Sequence, residues 1–119
     1  MDIIDQKDLG IIDGFNVVVY LVPDVDSTPY DADCYSDDDI AAWKRDDWGY
    51  VGTIVKASRE GIVLGESSLW ASEYGVFDGK SISPLDGEGH QFINGYGPDL
   101  ISEAITEAKA NITKLTTNQ

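Results

Sequence analysis

Cysteine, histidine and cationic side chains are all scarce in this chain of 119 residues. The single cysteine, Cys34, excludes an internal disulfide and fits a reducing cytoplasm. The single histidine, His90, leaves any zinc site to be completed by carboxylates. Eight Lys and Arg stand against 22 Asp and Glu, a formal net charge of −14. A surface so short of cations repels nucleic acid and anionic membrane. It attracts basic surfaces, among them the grooves with which DNA- and RNA-binding proteins read phosphate. No apolar run approaches the roughly 18 residues that cross a bilayer. The opening MDIIDQKDLG carries three aspartates and no basic region of a secretory signal, so the expected compartment is the cytoplasm.

What is present is a core-forming composition: 42% apolar residues, 10% aromatic residues and twelve glycines suit one globular domain spanning 1–119. Charge is uneven along it. Residues 1–47 hold thirteen Asp against three Lys and Arg. The densest stretch, Asp24 to Trp48, combines nine aspartates with two of the three tryptophans.

Residues 1–13 read as a loose N-terminal arm or a short edge strand. FNVVVYLV, residues 15–22, is a strand of β-branched and aromatic residues ended by Pro23. Its near-continuous apolar run predicts burial on both faces and a central place in the sheet. An acidic loop follows. Ser36 reads as an N-cap, with Asp37, Asp38 and Asp39 in the first turn of a helix running to about Asp47. WGYVGTIVKAS (48–58) and GIVLGESSLWASEY (61–74) read as two strands joined by a hairpin turn at Arg59-Glu60. Gly65 marks a bulge or a close backbone approach. Residues 75–97 are rich in glycine and read as a long surface loop. From Pro98 to about Leu115, Ile101, Ala104, Ile105, Ala108, Ile112 and Leu115 form one apolar stripe at helical spacing. The expected architecture is α+β in the order β-α-β-β-α, a three- to four-stranded, mainly antiparallel sheet with two helices packed on one face.

The catalytic and ligand motifs in the sequence are each incomplete. Asp24-x-Asp26 offers oxygen ligands for calcium. Counting from Asp24, however, the glycine and glutamate that a calcium-binding EF-hand loop needs are Pro29 and Tyr35. Aspartates around Cys34 disfavour a negatively charged thiolate and so oppose nucleophilic chemistry with His90. Gly87-Glu88-Gly89 lacks the third glycine of a dinucleotide fingerprint. No catalytic residue, metal or cofactor is implied. The carboxylates can instead be read as an array that imitates phosphate spacing. The candidate partner-binding residues are Asp24, Asp26, Asp31, Asp33, Asp37, Asp38, Asp39, Asp46 and Asp47, with Tyr30, Tyr35 and Trp48 as aromatic anchors. The bland alternative is acidity kept for solubility.

The segment DDDIAAWKRDDWGYVGTIVKASREGIVLGESSLWASE resembles a pattern in small uncharacterised proteins of phages and prophages. There an acidic helix with two tryptophans leads into a hairpin carrying Leu-Gly and Ser-Leu-Trp. The positions that match are Trp43, Trp48, Val51, Gly52, Leu64, Gly65, Ser68, Leu69 and Trp70, within about a third of the chain. The resemblance implies a mobile-element setting, where small acidic proteins are often anti-restriction or anti-CRISPR inhibitors. The leading expectation is a non-enzymatic inhibitor that docks on a basic nucleic-acid-binding protein, such as a host defence nuclease complex. The rivals are a small-molecule or metal-binding module using the 75–97 loop, and an oligomeric accessory or assembly protein.

Overall fold

The computed structural model describes residues 3–31, 34–77, 79–87, 89–92 and 95–117. Five strands, β1 (Asp5–Ile12), β2 (Phe15–Pro23), β3 (Trp48–Arg59), β4 (Ile62–Phe77) and β5 (Lys80–Ile82), form one antiparallel sheet in chain order. Helix α1 (Asp37–Lys44) lies between β2 and β3, and α2 (Gly97–Thr117) follows β5. The class is α+β as the sequence indicates, with more strands than expected.

Two of the five strands come from stretches that the sequence leaves open or reads as loop: residues 1–13, a loose arm or a short edge strand, and the loop from residue 75. The N-terminal stretch is β1, held to β2 by a two-residue turn in which Asp13 (φ 52°) and Gly14 (φ 83°) are both left-handed. This mirror-image turn matches the twist of the flanking strands. The glycine-rich stretch from residue 75 is partly strand, because β4 continues to Phe77, which pairs with Lys80 of β5. Gly75 permits that continuation. At φ 123°, it brings its Cα so close to Asp47 that a Cβ would lie 2.6 Å from the Asp47 carbonyl oxygen. The hairpin turn between β3 and β4 forms at Glu60 and Gly61, again with both residues left-handed.

Register sorts the sheet into two faces. Val17, Val19 and Leu21 of β2 pair with Ala57, Val55 and Thr53 of β3, and all six are buried. On the other face Asn16 is exposed, and Val18 and Tyr20 are half-buried. β2 is therefore an inner strand covered on one face along most of its length, and its apolar run does not report burial on both sides.

Helix α2 supplies the cover. Its stripe buries Ile101, Ala104, Ile105 and Ala108 against Val17, Val19, Val55 and Ala57, while Leu115 near its end is exposed. Each fully buried large apolar side chain in such a core contributes about 1.5–3 kcal/mol. Gly65 is both a bulge site and a close approach: register slips between Ala57 and Ser58, and a Cβ at residue 65 would lie 1.9 Å from the Ala104 carbonyl oxygen. Ser67 Oγ donates to the Leu100 carbonyl (2.6 Å) and Asn111 Nδ2 to the Leu64 carbonyl (2.6 Å), fixing the helix along β4.

Helix α1 does not share that face. Strand alternation puts Trp48 and Tyr50 opposite Val51, and α1 meets the sheet there. The two helices cover different faces at different ends.

Candidate functional site

The acidic segment is built on a small aromatic core. Trp48 is buried, with its ring 5.2 Å from Tyr35 in a stacked pose, 5.3 Å from Tyr50 and 5.0 Å from Phe77. Its indole Nε1 donates to the Asp39 carbonyl at 2.9 Å, which ties α1 to the start of β3. The Tyr35 hydroxyl donates to the Glu73 carboxylate and shares a hydrogen bond with Tyr50. Burial, with these partners, pushes the Tyr35 phenol well above its ordinary value, so it stays protonated. Burial also raises the Glu73 carboxyl, and the nearby Asp39 charge adds to this, against the opposing hydrogen bond from Tyr35.

Helix α1 begins as expected. Ser36 Oγ accepts from the Asp39 N–H (3.2 Å), and the Asp39 carboxylate accepts from the Ser36 N–H (3.0 Å), a reciprocal capping box. The helix stops at Lys44 and not near Asp47, because Arg45 caps it and Asp46 turns left-handed at φ 65°.

Asp24 closes the other side of the segment. Its carboxylate accepts from the Asp26 N–H (3.2 Å), Ser27 Oγ (2.8 Å) and the Ala71 N–H (2.9 Å). Burial works to raise its pKa, but these hydrogen bonds outweigh it and hold the carboxyl below its ordinary value. Ala71 is itself left-handed (φ 60°) at the irregularity where β3 and β4 change register, between the Thr53–Leu69 and Val51–Ser72 pairs.

The twelve candidate residues thus divide by role. Trp48, Tyr35, Asp24 and Asp39 are engaged by the chain itself. Asp26, Asp37, Asp38 and Asp46 are exposed, as is Tyr30, whose ring meets Trp43 edge-on at 5.8 Å. Asp47 is exposed and paired with Arg45 at 3.0 Å. Asp33 and the side chain of Asp31 lie outside the described residues. Ion pairs are few for so charged a chain: among the described residues they are Arg45–Asp47 and Lys109–Asp13. Sequence reasoning passes over Glu73, whose half-buried place beside Tyr35 and Asp39 only the fold creates.

Among the described residues no group of three His, Cys, Asp or Glu side chains is placed to hold a metal ion. Cys34 precedes α1 and is exposed. His90 instead lines an open hollow of about 440 Å³ along α2, with Ile101, Ile105 and Lys109. Among the described residues no helix is long and apolar enough to cross a membrane.

No family model matches the chain, and no curated protein or solved structure matches it. The chemistry of the surface is therefore what any functional reading rests on.

Proposed function

We propose that this protein is a non-enzymatic inhibitor that docks its acidic end on a basic nucleic-acid-binding protein and occupies the surface that would hold phosphates. The observation that carries the reading is the exposure of Asp26, Asp37, Asp38 and Asp46 with no ion pair to any of them among the described residues. Asp37 and Asp38 stand side by side in the first turn of α1, and like charges set so close raise the local potential. A Lys- and Arg-lined groove relieves it, gaining steered association as it does so. The aromatic core below supports this use, since Trp48 and the capping box hold α1 and its aspartates in a fixed frame. A phage or prophage origin, with a host defence nuclease as target, fits the resemblance noted in the sequence.

A tagged pull-down from bacterial lysate, run with and without excess duplex DNA, tests it. Capture of a nucleic-acid-binding protein that duplex DNA displaces, and that Asp37→Lys/Asp38→Lys fails to capture, is the expected outcome. Capture indifferent to both would refute the reading.

A further inference from the structure

The sheet face opposite α2 carries an apolar surface of its own. Cross-strand register lines up Tyr20, Ile54 and Ser68 in one row and Val22 with Gly52 in the next. Trp70 lies over Gly52, where a Cβ would fall 2.3 Å from the indole ring. Its Nε1 donates to Ser68 Oγ at 3.1 Å, so the ring is held flat on the sheet while 44% of the residue stays exposed. Val25, which lines a hollow with Trp70, is 86% exposed, and Ile3, beside Tyr20 and Val22, is 53% exposed. Ile3, Tyr20, Val22, Ile54 and Lys56 enclose a hollow of about 220 Å³. A tryptophan fixed in place beside exposed aliphatic side chains has the composition of an interface centre.

The rim decides what can sit there. Asp8 pairs with Val18 across β1 and β2, Glu66 pairs with Lys56 across β4 and β3, and Asp26 borders Trp70; all three acids are exposed. Lys56, the cation within this face, lies 5.3 Å from the Tyr20 ring centre and covers that ring. A second copy of the chain would set acidic rim against acidic rim at −14 each. An open sheet face buries its apolar side chains against a helix or a second sheet, and in this chain the opposite face is covered by the helix α2. We infer that this face is a docking surface for an amphipathic helix of a partner protein, with its apolar stripe on Tyr20, Ile54 and Trp70 and its Lys and Arg flanks on Asp8, Asp26 and Glu66. The basic sign of the partner rests on the same charge reading as the proposed function; the apolar contact does not.

The test is an NMR titration of the isotopically labelled chain with a designed helix of about 18 residues, long enough to span five turns. One peptide carries a leucine stripe with lysine flanks, and a control carries the same stripe with glutamate flanks. The lysine peptide is expected to shift the Trp70 indole resonance and the amides of Tyr20 and Ile54, and the glutamate peptide to leave them in place. Trp70→Ala and, separately, the gentler Ile54→Gln should each weaken binding at least tenfold, and Glu66→Lys should weaken it as well. Shifts confined to Asp37–Asp39, or affinity unchanged in both Trp70→Ala and Ile54→Gln, would overturn the inference and leave the acidic-end reading standing. Binding that survives Asp37→Lys/Asp38→Lys and fails in Trp70→Ala would support the sheet face as a surface separate from the acidic end.

Discussion

The Asp24 carboxylate accepts a hydrogen bond from the Ala71 backbone N–H at 2.9 Å, across 47 residues of chain. One side chain thereby joins the end of β2 to the irregular register of β4. A residue that composition marks as part of a charged docking array serves as an internal clasp. Replacing it by alanine is expected to cost about 1–2 kcal/mol, because the Ala71 and Ser27 donors lose their acceptor. The folded-state pKa is depressed, so the stabilisation is present above the ordinary value of 3.8 and is lost as pH falls through the lowered one. Urea denaturation of the Asp24→Ala variant at pH 7 and pH 3 checks both statements, since the difference from the parent protein should shrink at the lower pH.

Glu73 has the opposite sign. Burial beneath Tyr35, with the Asp39 charge added, raises its carboxyl above the ordinary 4.5. Keeping it ionised therefore costs stability at neutral pH, and that cost disappears as pH falls through the raised value towards 4.5. Glu73→Gln is expected to raise the melting temperature at pH 7 and to have a smaller effect near pH 4.5. Thermal unfolding of both proteins across that interval measures it.

Gly65 is where α2 rests on the sheet. A methyl group there would collide with the Ala104 carbonyl oxygen and the Ala108 amide, at 1.9 and 2.6 Å. Both are backbone atoms and cannot rotate away. Gly65→Ala is expected to destabilise the fold by about 3 kcal/mol through displacement of the helix, the upper part of the range for overpacked cores. Loss of slow amide exchange along α2, read by hydrogen exchange, distinguishes this from a local defect in β4.

Thr53 is buried between Leu21 and Leu69 in the register, and its hydroxyl has no hydrogen-bond partner among the described residues. Valine has the same shape without the unsatisfied group, so Thr53→Val is expected to stabilise the protein by about 1 kcal/mol. A rise in the denaturant midpoint with unchanged slope would be the signature.

Chemistry that acts within a few residues is legible in the sequence itself. The capping box at Ser36, the stripe of α2 and the hairpin turn after Arg59 all follow from side chains whose partners are near in sequence or whose spacing repeats, while Gly65 is signalled only as a glycine inside a strand pattern. β1 is less legible because it is an edge strand in which Asp5, Lys7 and Asp8 face solvent and a register slip at Leu9 interrupts alternation. Its turn is nonetheless signalled by Asp13-Gly14, the dipeptide that mirror-image hairpin turns favour. The candidate site is legible in charge and illegible in exposure. Trp48 and Trp70 are indistinguishable by composition, yet one is buried under Tyr35 and the other lies open on Gly52, a difference made by contacts distant in sequence.

The most direct measurement is a displacement assay on the protein captured in the pull-down. That protein is first bound to a fluorescently labelled duplex, and the acidic chain is then added while anisotropy is followed. Stoichiometric release of the duplex is expected, with release lost in Asp37→Lys/Asp38→Lys and weakened by added salt. A captured protein that binds the acidic chain while keeping its duplex would contradict the proposed function.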